Sequence, residues 1–183
     1  MKKEGALAKK ITRCIHIFPR FKKNEKLQAI RKKYDYLHNC IEPHITLVFP
    51  FESTLSSEEI ESDLKANLKD IKCFELSARG IEAVDDYGFH LFLNIEKGSD
   101  IIKELHYKLY RGILSSYQPK WTRNEAFVPH ITIGRFYNKE DMHNALVDTR
   151  NNIELYASHV KEIYIEIIGE EEESIIESKI SLL

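Results

Sequence analysis

Two short stretches of the sequence are nearly identical: Pro43-His44-Ile45-Thr46-Leu47 and Pro129-His130-Ile131-Thr132-Ile133. Four positions match and the fifth is conservative, and equivalent positions of the two copies are 86 residues apart. Each copy stands at the start of a run rich in β-favouring residues, after a helical segment and a less regular stretch. An internal repeat of this kind predicts two similar lobes related by a pseudo-twofold axis.

The spacing within each copy predicts which side chains share a face. Side chains alternate along a strand, so His44 and Thr46 point one way while Ile45 and Leu47 point the other. The second copy repeats the pattern, and a pseudo-twofold axis would bring the two polar faces together across a cleft. Two imidazoles that titrate near ~6.5 can then act as acid and base on a phosphodiester, while the threonine hydroxyls hold its free oxygens. This chemistry needs no metal.

Composition limits the possible partners. The chain has 183 residues, 43% of them apolar, which predicts one compact domain, and its net charge is −2. Proteins that coat long nucleic acids usually carry a basic excess. A nucleic-acid substrate would therefore be gripped at an end, at a single linkage or as a small nucleotide.

Three widely spaced cysteines, Cys14, Cys40 and Cys73, indicate reduced thiols and a cytoplasmic protein. No apolar run is long enough for a membrane span. Residues 1–10 are predicted to be a flexible tail, and residues 11–183 a single bilobal catalytic domain.

Strands and helices alternate along the chain, which predicts an α/β or α+β layered fold. Strands are predicted at 13–19, 44–49, 73–78, 89–95, 127–133, 160–168 and 175–180. Helices are predicted over 22–37, after a capping box at Ser56 and Glu59, after Ser99 with Ile113 on its buried side, and after Asn138. The acidic stretch 169–173 is predicted to be a solvated hairpin loop.

The residues around both motifs resemble the 2H phosphoesterase superfamily and, within it, the 2′-5′ RNA ligase-like proteins. The resemblance rests on residues 30–35, on residues 43–51 and on Pro129-His130-Ile131-Thr132-Ile133-Gly134-Arg135. It implies an α+β bilobal fold with two concave antiparallel sheets, helices packed outside and a central cleft. It also implies that His44 donates a proton to the leaving oxygen and that His130 accepts one from the nucleophile. Members act on 2′,3′-cyclic phosphates, 2′-5′ oligonucleotides or related cyclic phosphates, and some run the ligation direction.

Several further residues are candidates for the site. Arg135 can bind phosphate or form a surface salt bridge. It would face away from His130 on an unbroken strand, but Gly134 can allow a bulge. Phe49, Phe51 and Phe136 can stack a base or pack in the core. The remaining candidates are His16 and His90, each either structural or lining the cleft, and Tyr87, Lys120 and Trp121 as loose candidates for a nucleobase rim.

The expected ligand is a nucleotide or an RNA end, bound by a monomer that needs no cofactor and no metal. Three other functions stay open on sequence grounds. The cleft could bind a nucleotide or RNA end without turnover, the histidines could belong to a metallohydrolase although no H-E-x-x-H motif is present, or the protein could serve only in structural interactions.

Overall fold

The computed structural model describes residues 9–86, 88–123, 127–151 and 154–183. Most of the predicted tail, residues 1–8, lies outside the described residues, as does Tyr87. Among the described residues, no helix combines the length and the apolar character needed to cross a membrane.

The described chain contains eight strands and four α-helices. Their order is β1 (Ile11–Ile17), α1 (Glu25–Tyr34), β2 (Ile45–Ser53), α2 (Ser57–Leu68), β3 (Phe74–Val84), β4 (Phe89–Ile95), α3 (Ser99–Leu109), β5 (His130–Phe136), α4 (Lys139–Thr149), β6 (Tyr156–Val160), β7 (Glu162–Ile168) and β8 (Ser174–Ser181). Short 3-10 helices cover Tyr36–Asn39, Ser115–Tyr117 and Lys120–Thr122.

The strands form two antiparallel sheets of four strands each, and the predicted α+β fold is confirmed. The first sheet has the order β2-β1-β7-β8, and the second has the order β5-β4-β3-β6. The two motif-bearing strands, β2 and β5, therefore occupy the same kind of position, an edge next to the strand that begins each repeat. Pro50 is tolerated within β2 because an edge strand leaves one side unpaired.

The repeated unit is strand, helix, strand, helix: β1-α1-β2-α2 in the first lobe and β4-α3-β5-α4 in the second. Its first helices are exchanged between the lobes. Helix α1 packs against β5 of the second sheet, and α3 packs against β2 of the first. Helix α2 lies against β8 and α3, and α4 lies across β3, β4 and β5. This arrangement has the two lobes that the repeat predicted and the bilobal α+β form that the resemblance to the 2H phosphoesterases implied.

Two helix starts follow the predicted chemistry. The Ser56 side chain accepts a hydrogen bond from the Glu59 N–H, and the Glu59 carboxylate accepts one from the Ser56 N–H, which completes the capping box of α2. The Asn138 side chain caps α4 by accepting from the Asp141 N–H.

The start and end of α3 differ from the prediction. Ser99 is the first helical residue, and the cap position is Gly98 at φ +88°, where a Cβ would lie 2.9 Å from the Glu75 carbonyl oxygen. The chain thus enters α3 through a left-handed turn packed on β3. The helix ends at Leu109, so Ile113 is 40% exposed, and Leu114 is the buried residue instead.

Other helix and strand boundaries differ from the predicted ones because of contacts with distant parts of the chain. Helix α1 begins three residues later than predicted and ends before Leu37, where the chain turns into a 3-10 helix capped by the Asp35 side chain. The strand β6 was not predicted; it pairs with β3 through residues Tyr156–Val160, which carry little apolar alternation. The acidic stretch 169–173 is the β7–β8 hairpin loop, as predicted.

Candidate active site

Both motifs occupy the predicted faces of their strands. Ile45, Leu47, Ile131 and Ile133 are fully buried in the core. The histidines and threonines of the two copies, His44, Thr46, His130 and Thr132, are half-buried and line one cavity of about 650 Å³. The cavity wall takes residues from β1, β2 and β7 of the first sheet and from β3, β4 and β5 of the second. Period-two alternation therefore sets the polar pairs into a shared cleft.

The two motif histidines are held in the same way. His44 Nδ1 lies 2.8 Å from the Glu42 carbonyl oxygen, and His130 Nδ1 lies 2.8 Å from that of Val128. A carbonyl oxygen only accepts hydrogen bonds, so each Nδ1 carries the proton and donates it. Each ring is thereby fixed in one tautomer, and Nε2 is left to take or give a proton at the cavity.

A ring from the neighbouring strand supports each motif histidine, but the two rings differ. On β1, His16 pairs with Thr46 and its ring meets that of His44 edge-on at 4.5 Å between centroids. On β4, Phe92 pairs with Thr132 and stacks on His130 at 3.6 Å. The two halves of the site thus share their backbone arrangement, but an imidazole supports His44 and a phenyl ring supports His130.

The His16 ring belongs to a buried ion-pair geometry. Its Nε2 lies 3.4 Å from Oε1 of Glu166, a β7 residue only 3% exposed. The other Glu166 oxygen accepts a hydrogen bond from the Ser174 hydroxyl. The first motif histidine therefore has an imidazole–carboxylate pair behind it, where the second has the Phe92 ring.

A bulge in each motif strand turns a further residue into the cavity. The β4–β5 register shifts between Leu91 and Phe92, so that Arg135 comes opposite His90 and lines the cavity with it. This is the bulge anticipated at Gly134. A matching shift in the β1–β2 register brings Phe49, five residues after His44, to the cavity wall.

Arg135 lines the cavity and is also ion-paired. Its Nη1 bonds to Oδ1 of Asp35, which is 2% exposed. The other Asp35 oxygen accepts from Arg31 at 3.0 Å. Asp35 thus ties α1 of the first repeat to β5 of the second, and both sequence interpretations of Arg135, cavity residue and salt-bridge partner, describe part of its position.

The three phenylalanines are separated by the fold. Phe49 lines the cavity, and its ring meets the exposed Trp121 ring edge-on at 4.6 Å. Phe51 is buried against Tyr117, and Phe136 packs on Tyr34 outside the cavity. As base-stacking candidates, Phe51 and Phe136 are therefore corrected to packing residues, and Phe49 stays a candidate, now with Trp121 at the rim.

Burial lowers the pKa of both motif histidines. The pKa of His44 lies well below its usual value, first because its ring is desolvated and second because His16 stands beside it. Burial, with smaller contributions from His90 and Arg135, lowers the pKa of His130 to about 4. Both imidazoles are therefore neutral near pH 7 when no anion is bound.

Several cavity residues were not among the candidates from sequence: Glu82, Phe92, Asn94 and Glu166. Phe92 and Asn94 carried a usable signal, since they alternate with buried Leu91 and Leu93 and so share the face of His90. The sequence contains no such signal for Glu82 and Glu166, because their position at the cavity depends on which strands become neighbours in the sheets. Among the described residues, no group of three or more His, Cys, Asp or Glu side chains is placed to hold a metal ion.

Two His-x-Thr motifs that face one cavity between the lobes of an α+β fold define a 2H phosphoesterase. The chain belongs to the 2′-5′ RNA ligase superfamily, which it matches over residues 18–168.

Curated bacterial relatives carry the description "Putative phosphoesterase". One from Geobacillus thermodenitrificans is 34% identical over 114 residues, 58% of this chain and 59% of its own length, so the match spans less than two thirds of that relative. One from Geobacillus kaustophilus is 31% identical over 66% of this chain and 67% of its own length. One from Bacillus licheniformis is 29% identical over 74% and 76%.

Solved structures share the fold. A crystal structure of a phosphoesterase superposes with a TM-score of 0.59 at 16% identity, covering 94% of this chain and 98% of the other. E. coli LigT complexed with 3′-AMP superposes with a TM-score of 0.58 at 16% identity, covering 95% and 99%. At this level of identity, the likenesses show that the chain shares the fold of these proteins.

Proposed function

We propose that the protein is a metal-independent phosphoesterase that opens a 2′,3′-cyclic phosphate to a 2′-phosphate or cleaves a 2′-5′ phosphodiester. One observation carries the proposal: both motif histidines bind their own backbone through Nδ1 and leave Nε2 for proton transfer in the same cavity. A nucleotide present in the LigT structure supports a nucleotide-type substrate.

The steps follow from the two tautomers. His130 Nε2 takes a proton from water as the water oxygen bonds to phosphorus, and the bond from phosphorus to the ribose 3′ oxygen breaks. His44, protonated at Nε2, gives its proton to that departing oxygen. The hydroxyls of Thr46 and Thr132 donate hydrogen bonds to the two free phosphoryl oxygens. The assignment of donor and acceptor comes from the family resemblance. A ribose 5′-hydroxyl that attacks in place of water would break the same bond to the 3′ oxygen and leave a 2′-5′ linkage, which is ligation.

The bound phosphate supplies the protonation state that the free protein lacks. An anion close to both rings favours the charged imidazolium, which opposes the desolvation that lowers both pKa values. One proton taken up with the substrate prepares the acid, and the other histidine stays a base. His16 lies beside His44 and lowers its pKa, so it opposes the protonation of His44 that the bound anion favours.

The proposal is tested with nucleoside 2′,3′-cyclic monophosphates and a 2′-5′ dinucleotide, with EDTA present throughout. We expect turnover to a 2′-phosphate from the cyclic substrates, and a fall in kcat of about 10²- to 10⁴-fold in His44→Ala and in His130→Ala, the range typical of acid–base catalysts. His143→Ala is the matched control, since His143 also bonds a carbonyl through Nδ1 but lies exposed on α4.

Two other results would each indicate a different function. Activity lost on adding EDTA would mean a metallohydrolase. Binding of the nucleotide by wild type and a weaker affinity in both variants, with no turnover in any of them, would mean a non-catalytic nucleotide or RNA-end binding module.

A further inference from the structure

The cavity that holds the motif histidines carries more negative than positive side chains. In the part of the chain that the structure describes, its wall contains four carboxylates, Glu82, Asp86, Glu166 and Glu172, and one guanidinium, Arg135. Glu82, Asp86 and Glu172 are exposed and stand at its rim, two on the second lobe and one on the β7–β8 loop. A polyanion entering the cavity has to pass these three charges.

The one guanidinium does not offset them. Arg135 is bonded to buried Asp35, so part of its charge is already neutralised within the protein. The motif histidines are neutral before a substrate binds, because burial lowers the pKa of each. The interior of the site thus offers hydrogen bonds more than positive charge.

Neutral polar groups of the wall suit a single phosphoryl group. Thr46 and Thr132 supply hydroxyls, and Asn94 supplies an amide on the face of β4 that also carries Phe92. His16 is 3% exposed, and its Nδ1 has no hydrogen-bond partner in the protein although the ring lines the cavity. A buried polar atom of this kind calls for a partner from the ligand.

The charge pattern is the reverse of the one that holds a nucleic-acid chain. Proteins that bind a chain neutralise its phosphates with Lys and Arg and lose affinity as salt is added. Carboxylates at the mouth repel each additional phosphate, and salt weakens that repulsion over a screening length of about 8 Å at physiological ionic strength.

We propose that this site selects a small phosphodiester with a single negative charge, of the class of nucleoside 2′,3′-cyclic monophosphates, and discriminates against substrates with further phosphates. The inference rests on the proposed function. The volume of about 650 Å³ is in the range of small-molecule pockets, and the Phe49–Trp121 pair offers aromatic surface for one base.

The test varies charge while keeping the reacting group constant. The substrates are cytidine 2′,3′-cyclic monophosphate, the same compound with a 5′-phosphate, and a ten-nucleotide RNA that ends in the same cyclic cytidine. We expect kcat/KM to fall by about tenfold or more from the first to the last at low salt, and the gap to narrow as salt rises from about 20 to 200 mM, because repulsion is screened.

Two triple variants locate the effect. Glu82→Gln/Asp86→Asn/Glu172→Gln removes the rim charges, and we expect the ratio of RNA to mononucleotide kcat/KM to rise by about threefold to tenfold at low salt. Glu52→Gln/Glu58→Gln/Glu140→Gln makes the same change in net charge with exposed residues that do not line the cavity. This control should leave the ratio unchanged.

The inference is overturned if the RNA is the better substrate and its kcat/KM falls with salt, or if the two triple variants change the ratio equally. Those results leave the proposed function standing, since the cyclic phosphate is still opened. Failure of all three substrates to react overturns the cyclic-phosphate part of the proposed function, and the inference with it.

Discussion

At the scale of single residues, the two motif histidines have the same backbone hydrogen bond but a different ring beside them. His44 meets the ring of His16, which lies against Glu166, whereas His130 stacks on Phe92. A neighbouring imidazole paired with a carboxylate and a stacked phenyl ring affect the pKa of a histidine differently. The sequence repeat predicts equal halves, and the differing neighbours provide a physical basis for unequal roles.

The lowered pKa values predict an acid-shifted rate profile. In the proposed mechanism a productive encounter needs His44 protonated and His130 neutral. The pKa values of both histidines in the free protein lie below 6.5, that of His130 at about 4. We therefore expect kcat/KM to peak below pH 6.5 and to decline towards pH 8, as measured with a cyclic mononucleotide. A kcat/KM that rises to a plateau above pH 7 would contradict the role assignment.

His16→Gln provides the matched variant for this profile. Glutamine keeps a donor for Glu166 and cannot become charged, so the pKa of His44 should rise and the alkaline limb should move to higher pH. The titratable groups around His16 are Cys14 on its own strand, His44 just before β2, and Tyr164 and Glu166 on β7. The variant leaves all four in place. If the alkaline side of the kcat/KM profile did not move, His16 would serve only to pack against the His44 ring.

What the sequence reveals at this scale is the local part of the site. Alternation along β2 and β5 is sufficient to place His44, Thr46, His130 and Thr132 on one face of their strands. The partners that arrive from elsewhere could not be predicted: Asp35 reaches Arg135 across 100 residues, and Glu166 reaches His16 because β7 pairs with β1. Long-range pairing leaves no trace in local periodicity.

At the scale of elements, the bulges decide which residues join the motifs. A register shift at β5 puts Arg135 on the cavity side, and a matching one at β2 puts Phe49 there. Gly134 lies in the bulged part of β5, where a Cβ would come within 2.9 Å of the Phe136 ring and 3.3 Å of the Tyr34 side chain. Close packing of α1 on β5 thus depends on the absence of a side chain.

Gly134→Val should therefore lower both stability and activity. The added methyls must displace Phe136 or α1, at a cost of roughly 1–3 kcal/mol for overpacking, and Arg135 moves with them. Urea unfolding measures the first effect, and kcat/KM on a cyclic mononucleotide measures the second.

Ser56→Ala is the stability-matched control. It removes the capping box of α2, which costs about 1 kcal/mol, and leaves the cavity wall untouched. If both variants lost stability and Gly134→Val kept full activity, the bulge would not be needed to position Arg135 for the reaction.

Element prediction succeeded where the signal was local and failed where it was tertiary. The capping box at Ser56 and the Asn138 cap follow from side chains three residues apart. The start of α3 at Gly98 depends on contact with β3, and β6 exists because β3 offers an unpaired edge. Neither condition can be read from the segment itself.

At the scale of the whole molecule, buried histidines should make the fold sensitive to acid. His44, His106 and His130 all have lowered pKa values, and His106 is fully buried with its Nδ1 donating to the Leu47 carbonyl oxygen. Below the ordinary value of 6.5 the unfolded chain binds more protons than the folded one, so stability falls as pH falls from 6.5 towards about 4.

The measurement is the melting temperature between pH 7.5 and 4.5. We expect a decrease of several degrees over this range for wild type. His106→Gln keeps a donor for Leu47 and cannot be protonated, so its curve should be shallower even if its melting temperature at pH 7.5 is lower. Parallel curves for the two proteins would show that His106 does not contribute to acid sensitivity.

The exchange of α1 and α3 between the repeats has a mechanical consequence. Each motif strand is clamped by the helix that the opposite half supplies, so drawing the halves apart would strip apolar cover from both edges at once. We therefore expect the two lobes to move little relative to each other, so that the two motif histidines keep their separation when a ligand binds. We expect substrates to bind in a preformed cavity. The turnover rate would then be limited by the chemical step or by diffusion rather than by closure of the protein over the substrate.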